Sequence, residues 1–190
     1  MNVRNKVTKL VAKGIAKGKD KGKISWNKVS GATSYEVYLA KCNSKGKKYT
    51  TKKVATVTKT SYTTKKLSKN RFYKFYVVAN VDGRKVKSAT SHFTTGNKSR
   101  KATNPKSLKV NKTKVNVKAG KTFKVKAKVA KKKAGLKWHG VTKKARYFSD
   151  NTKVATVSKK GVIKGVSKGW CRVYVQAENG IWKTIEVTVN

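Results

Sequence analysis

Between Tyr147 and Val175 the chain reads YFSDNTKVATVSKKGVIKGVSKGWCRVYV. Val154, Ala155 and Val157 form a short apolar run after the turn-rich Ser-Asp-Asn-Thr. Lys160-Gly161 reverses the chain, and Val162, Ile163 and Val166 follow. After Gly169, Cys171, Val173 and Val175 alternate with Trp170, Arg172 and Tyr174. Period-two alternation puts one set of side chains on an inner face and the other on an outer face. Cut by Gly and Asn/Asp about every eight to twelve residues, it predicts three short strands with two tight turns, in a two-layer antiparallel sandwich. The expected fold class is all-β, as two tandem antiparallel β-sandwiches. The 190 residues suffice for two units of about 100 residues. Hydrophobic residues, 37% of the chain, can fill two cores, so disorder is not expected.

The other constraint is charge. There are 50 Lys and Arg against 6 Asp and Glu, a formal net charge of +44 spread over both halves. Such a surface attracts polyanions with steep salt dependence. Only six of the cations are Arg, and Lys is a hydrated point charge without the planar fork that reads carboxylates and phosphates bidentately. Nucleic-acid binding is therefore expected to be non-specific only. No apolar run approaches the roughly 18 residues of a membrane span. The N-terminus is basic but has no apolar h-region, so it does not read as a signal peptide. The expectation is either a cytoplasmic protein or an interior piece of a longer exported chain.

Cys42 and Cys171 are far apart in sequence, and no disulfide is expected between them. Cys171 has the inward phase of a small core residue. Cys42 stands at a strand end beside Asn43 and Ser44, where partial exposure is expected. Two His and two Cys at these spacings form no zinc signature.

In the first half, Ile24-Ser-Trp26 alternates, and Tyr35, Val37 and Leu39 share a face opposite Glu36 and Tyr38. Phe75, Val77 and Ala79 repeat the pattern, and Asp82-Gly83 is a hairpin signal. Ile24-x-Trp26, Gly31-Ala-Thr-Ser-Tyr-Glu-Val-Tyr38, and Leu67 followed by Tyr73 together resemble a fibronectin type III domain over residues 5–96. The resemblance implies that Tyr73 is a corner tyrosine whose hydroxyl returns to the backbone near Leu67. No Arg-Gly-Asp tripeptide occurs, so integrin binding has no support.

Residues 98–106 hold the sole Pro and no apolar periodicity. They read as a linker with room for some hinge motion between units 1–97 and 107–190. Beyond it, Phe123, Val125, Ala127 and Val129 alternate with Lys124, Lys126 and Lys128 as one strand, its Lys on the solvent side. Lys118-Ala-Gly120, Asn151 to Val157 with Gly161, Lys168-Gly169 and Val187-Thr-Val189 are similar to the bacterial immunoglobulin-like domains of group 2, over residues 107–190. Those domains recur in bacterial surface proteins. Tyr147-Phe148 take the place of the family's usual Trp, and the Gly135–Ala145 insertion is longer and more basic.

One ligand site suggests itself. A three-residue loop Glu178-Asn179-Gly180, with Gly180 left-handed, would pair Gln176 with Trp182, Tyr174 with Thr184 and Arg172 with Glu186. Trp170, Arg172, Tyr174 and Trp182 would then share an outer face, where aromatics beside a cation can stack on sugars or bases. The alternative is that a neighbouring segment, such as the Gly135–Ala145 insertion, covers them. His139 and His92 read as residues without a chemical role. No triad order, carboxylate pair or phosphate-cradling Gly loop appears, and six acids are few for acid–base work or calcium. No enzyme activity, cofactor or metal is expected.

These features point to a non-catalytic, monomeric segment of a bacterial secreted or cell-surface protein, acting as spacer and adhesion module. A dedicated binder of acidic cell-wall polymers or host glycans is the alternative. Accessory domains of a larger extracellular enzyme are the third reading.

Overall fold

The computed structural model describes residues 9–138 and 145–190. Eight strands come first: β1 (Ala12–Lys17), β2 (Lys21–Trp26), β3 (Ala32–Cys42), β4 (Lys52–Val57), β5 (Ser61–Thr63), β6 (Phe72–Val81), β7 (Arg84–Lys87) and β8 (Ser91–Thr94). One sheet runs β1-β2-β5. The other runs β4-β3-β6-β7, with β8 also on β6. The expected alternation places Tyr35, Val37 and Leu39 of β3 and Phe75, Val77 and Ala79 of β6 inward, against Ile24 and Trp26 of β2. The Asp82-Gly83 turn has φ of 46° and 73°, the doubly left-handed geometry that matches hairpin twist. Tyr73 closes the corner: its hydroxyl accepts the Ser68 amide at 2.9 Å.

A 3-10 turn at Thr95–Asn97 leads to β9 (Lys98–Ser99), β10 (Ala102–Thr103), β11 (Pro105–Val110), β12 (Lys114–Val117), β13 (Thr122–Lys124), β14 (Ala127–Lys131), β15 (Lys137–Trp138), β16 (Arg146–Ser149), β17 (Ala155–Val157), β18 (Val162–Gly165), β19 (Gly169–Gln176) and β20 (Trp182–Val189). The second core lies between β12-β20-β19-β16 on one side and β13-β18-β17 with the pair β11-β14 on the other. Its inner residues are those expected: Cys171, Val173, Val175, Ile185 and Val187, with Ile181 partly buried against them. Tyr147 packs on the same core.

Four differences from the sequence reading have physical causes. The stretch opening at Tyr147 holds four strands, because β16 gains partners by pairing with β19 (Phe148 opposite Tyr174). The single strand expected over Phe123–Val129 is two. β13 pairs with β18, and β14 pairs with β11. The crossover is pinned by Asn111, whose amide donates to the Lys124 carbonyl and accepts the Lys126 amide.

Cys42, expected to be partly exposed, is 6% exposed and packs with Phe72 and Ala102. The chain after the first sandwich folds back over it. Residues 98–106, read as a linker with hinge freedom, are docked rather than open. Ser99, Ala102, Thr103 and Asn104 are buried. Asn104 accepts the Thr94 amide at 2.7 Å and donates to the Thr94 carbonyl at 2.8 Å. Thr103 donates to the Asn97 carbonyl, and β10 pairs in parallel with β15. Buried polar groups without partners are costly, so these bonds resist opening.

Candidate functional site

The hairpin that ends the chain has the expected register: Gln176 opposite Trp182, Tyr174 opposite Thr184, and Arg172 opposite Glu186. Gly180 has φ 83°, as the three-residue loop requires. The four residues of the expected platform do not form one open surface. Tyr174 is 3% exposed, and burial, together with the charge of Asp150, pushes its hydroxyl up to about 12. It flanks Phe148, over which Lys9 of the first sandwich extends at 5.4 Å. Lys13 covers Trp182 in the same way, at 5.5 Å. Arg172 is held internally. Its guanidinium lies 4.4 Å from the Trp170 ring centroid and 3.6 Å from Asp150, whose other oxygen accepts the Arg172 amide. Trp170 and Trp182 remain half-buried. The covering element is therefore the first sandwich. Residues 139–144 of the insertion, His139 among them, lie outside the described residues.

What covers the hairpin is a polar joint between the sandwiches. The Asn179 carbonyl accepts the Gly14 amide at 2.8 Å, and the Glu178 carbonyl accepts the His92 amide at 3.0 Å. The Asn179 side chain donates to the Pro105 carbonyl. From β16, Arg146 donates to the Thr90 carbonyl and the Ser91 hydroxyl across the joint, and to the Ala177 carbonyl on its own side. Burial lowers the Arg146 pKa, with the Glu178 charge opposing that shift. The guanidinium stays protonated. His92 Nδ1 lies 2.9 Å from Glu178 Oε1, and both side chains are buried. Sequence reasoning assigned His92 no role. No local pattern could have found this pair, since its partner is 86 positions away.

A second polar cluster lies on the outer face of the first sandwich. Glu36, 8% exposed, accepts from Tyr38 at 3.1 Å and pairs with Lys53 at 3.4 Å and Lys85 at 3.3 Å. Burial raises its pKa, but the bonds from Lys85, Tyr38 and Lys53 outweigh that, and the carboxyl is held below its ordinary value. A carboxylate so held is a poor proton donor. Tyr38 stacks on Tyr76 at 4.6 Å, and Lys87 lies 3.8 Å over Tyr76. Among the described residues no group of three or more His, Cys, Asp or Glu could hold a metal, and no helix is long and apolar enough to cross a membrane.

In the second sandwich the β12-β20-β19-β16 sheet, with its parallel β12-β20 pair, faces β13-β18-β17. Residues 105–189 match the family of the bacterial Ig-like domain (group 2). In this Ig-like domain the Asn151–Val157 motif forms the turn into β17. There the Asn151 side chain accepts the Lys153 amide and its carbonyl accepts that of Val154. The first sandwich carries the fibronectin type III resemblance through its β1-β2-β5 and β4-β3-β6-β7 sheets and its Tyr73 corner.

Among solved structures the chain is similar to the crystal structure of FN3tt (26% identity, 45% of this chain and 87% of that one, TM-score 0.37). It is also similar to an Fn3-like protein from Clostridium thermocellum (24%, 43% and 83%, TM-score 0.37). Domains 4 and 5 of the S-layer protein SbsC match at 22% identity over 61% of this chain and 64% of that one, with TM-score 0.38. No curated protein matches the chain. Ig-like and fibronectin type III domains are typical of bacterial extracellular proteins.

Proposed function

We propose that the chain is a non-catalytic, stiff two-domain segment of a bacterial secreted or cell-surface protein, serving as a spacer and adhesion module. Its units are residues 1–97 and 107–190, and residues 98–106 form a docked joint between them. The observation that carries this reading is the joint itself. Backbone bonds from Gly14 and His92 reach the Glu178–Asn179 turn, and Arg146 reaches Thr90 and Ser91. A free linker would leave relative domain motion as the default, whereas buried hydrogen bonds on both flanks of a hairpin hold one orientation. A spacer that keeps its orientation can present a surface at a set distance and angle. The cationic surface supplies the adhesive part through acidic polymers.

Small-angle scattering of the whole chain at physiological salt tests this. The expected curve is that of a monomer with one fixed arrangement of two sandwiches. A curve that needs a broad distribution of interdomain angles overturns the proposal.

A further inference from the structure

Beside the joint lies a cleft of about 590 Å³, lined by Arg100, Lys101, Lys131 and Lys137 with Phe72 and Trp138. It meets a second hollow of about 300 Å³ through the shared Ser44, Phe72, Ser99 and Arg100. That hollow adds Lys41, Lys48, Arg71 and Tyr49. No carboxylate lines either one.

Three observations separate this cleft from the diffuse Lys surface. The first is arginine. Of six in the chain, Arg146 and Arg172 are spent on internal partners. Arg71 and Arg100 both line the hollow that opens off the cleft and are exposed, and among the described residues no carboxylate pairs with either. Planar forks lining one hollow suit carboxylate or sulfate groups in a way that ammonium groups do not. The second is backbone geometry. Arg100 and Lys48 have φ of 51° and 76°. Left-handed backbone is disfavoured for a residue with a side chain, and Gly would avoid that cost. At Arg100 this is the turn between β9 and β10, which fixes where its side chain leaves the sheet, and Lys48 is held in the same way at the adjoining hollow. The third is the pairing of cation with ring. Lys131 Nζ lies 5.5 Å from the centroid of Trp138, and Tyr49 is 50% exposed at the other end of the lining. An apolar ring face beside a cation fits a pyranose that carries an acid.

We propose that this cleft binds an acidic polysaccharide, a chain of pyranose rings bearing carboxylate or sulfate groups. The volume is within the range of about 300–1,000 Å³ usual for ligand sites. Single-stranded nucleic acid is disfavoured, because its binders lay successive bases on a series of aromatics, and here seven cations accompany only two rings that are not buried, Trp138 and Tyr49, each with a lysine over it. The proposal rests on the fixed joint, since Phe72 comes from the first sandwich and Lys131, Lys137 and Trp138 from the second.

The test is binding of the whole chain to heparin, alginate, neutral dextran and single-stranded DNA by calorimetry at about 0.15 M salt, where diffuse surface attraction is screened. The variants are Arg71→Ala/Arg100→Ala, Trp138→Ala and the charge-matched Lys159→Ala/Lys168→Ala, whose lysines are exposed and outside the cleft. The expected result is binding to heparin or alginate but not dextran. It should fall at least tenfold in the Arg pair and in Trp138→Ala, and less than twofold in the Lys pair, with melting temperatures and scattering curves unchanged. Equal losses in the two charge-matched pairs, no binding at this salt, or DNA binding as tight as that of the glycans would each overturn it. A scattering curve that fits a hinged chain would instead fault the fixed joint.

Discussion

Gly180 sits at the tip of the last hairpin with φ 83°, and a methyl group added there would lie 1.9 Å from the Ala12 carbonyl oxygen and 2.9 Å from the Lys13 Cα. Both are backbone atoms of β1, which is fixed in register against β2. They cannot rotate away as a side chain would. In Gly180→Ala the hairpin and β1 must separate by about 1 Å, because contacts that short are strongly repulsive. That separation breaks the 2.8 Å bond from Gly14 to Asn179 and strains the 3.0 Å bond from His92 to Glu178. Leaving a buried amide unpaired costs about 1–3 kcal/mol, and alanine in left-handed backbone adds roughly 1–2 kcal/mol.

Gly120 separates the two terms. It has φ 78° and open space around it, so Gly120→Ala carries only the backbone term. Gly180→Ala is expected to lose about 1–3 kcal/mol more than Gly120→Ala. That is a further drop of roughly 2–12 °C in melting temperature at about 2–4 °C per kcal/mol. Thermal unfolding followed by calorimetry measures both variants, and Gly180→Ala should also split a single transition into two. Equal losses in the two variants would refute the reasoning, since the hairpin tip would then not be pressed on β1.

Three further outcomes follow from particular groups. Tyr73→Phe removes the acceptor of the Ser68 amide, and urea unfolding should show a loss of about 1–2 kcal/mol; an unchanged midpoint would mean the corner bond adds nothing. Glu36 has a folded pKa below its ordinary value, so the stability it adds is fully present above about pH 4.3 and is lost as pH falls through the lowered value. The gap between wild type and Glu36→Gln should therefore close in acid, and a gap that persists at pH 2 contradicts the ion-pair account. Burial pushes the Cys42 thiol up to about 12 and raises that of Cys171. Neither should react with a thiol reagent at pH 8 in the native protein, whereas both should react in denaturant; rapid labelling of Cys42 in the native protein would show that residues 98–106 do not cover it.

Local pattern carried most of the two sandwiches. Alternation placed Tyr35, Val37 and Leu39, and Cys171, Val173 and Val175, on inner faces, because a strand's side-chain period of two leaves no other option when one face is buried. Asp82-Gly83 and the Glu178–Gly180 loop were legible for the same kind of reason: few residues tolerate left-handed backbone, so turn chemistry is written locally. The candidate platform was read from the same pattern and met a different fate. Pattern gave Trp170, Arg172, Tyr174 and Trp182 a shared outer face but not what lies over it.

By itself, then, the amino-acid order determined which residues each sheet buries, where the hairpins turn, and that ammonium groups crowd the exterior. Tertiary structure alone decided that Lys9, Lys13 and the Gly14 backbone close over the last hairpin, that His92 meets Glu178, and that Arg100 lines a cleft with Trp138 and an adjoining hollow with Arg71. The physical reason is range. Strand phase and turn geometry are set by neighbours one to four residues apart, whereas a joint between two sandwiches is chosen by complementarity between surfaces whose residues are dozens of positions apart.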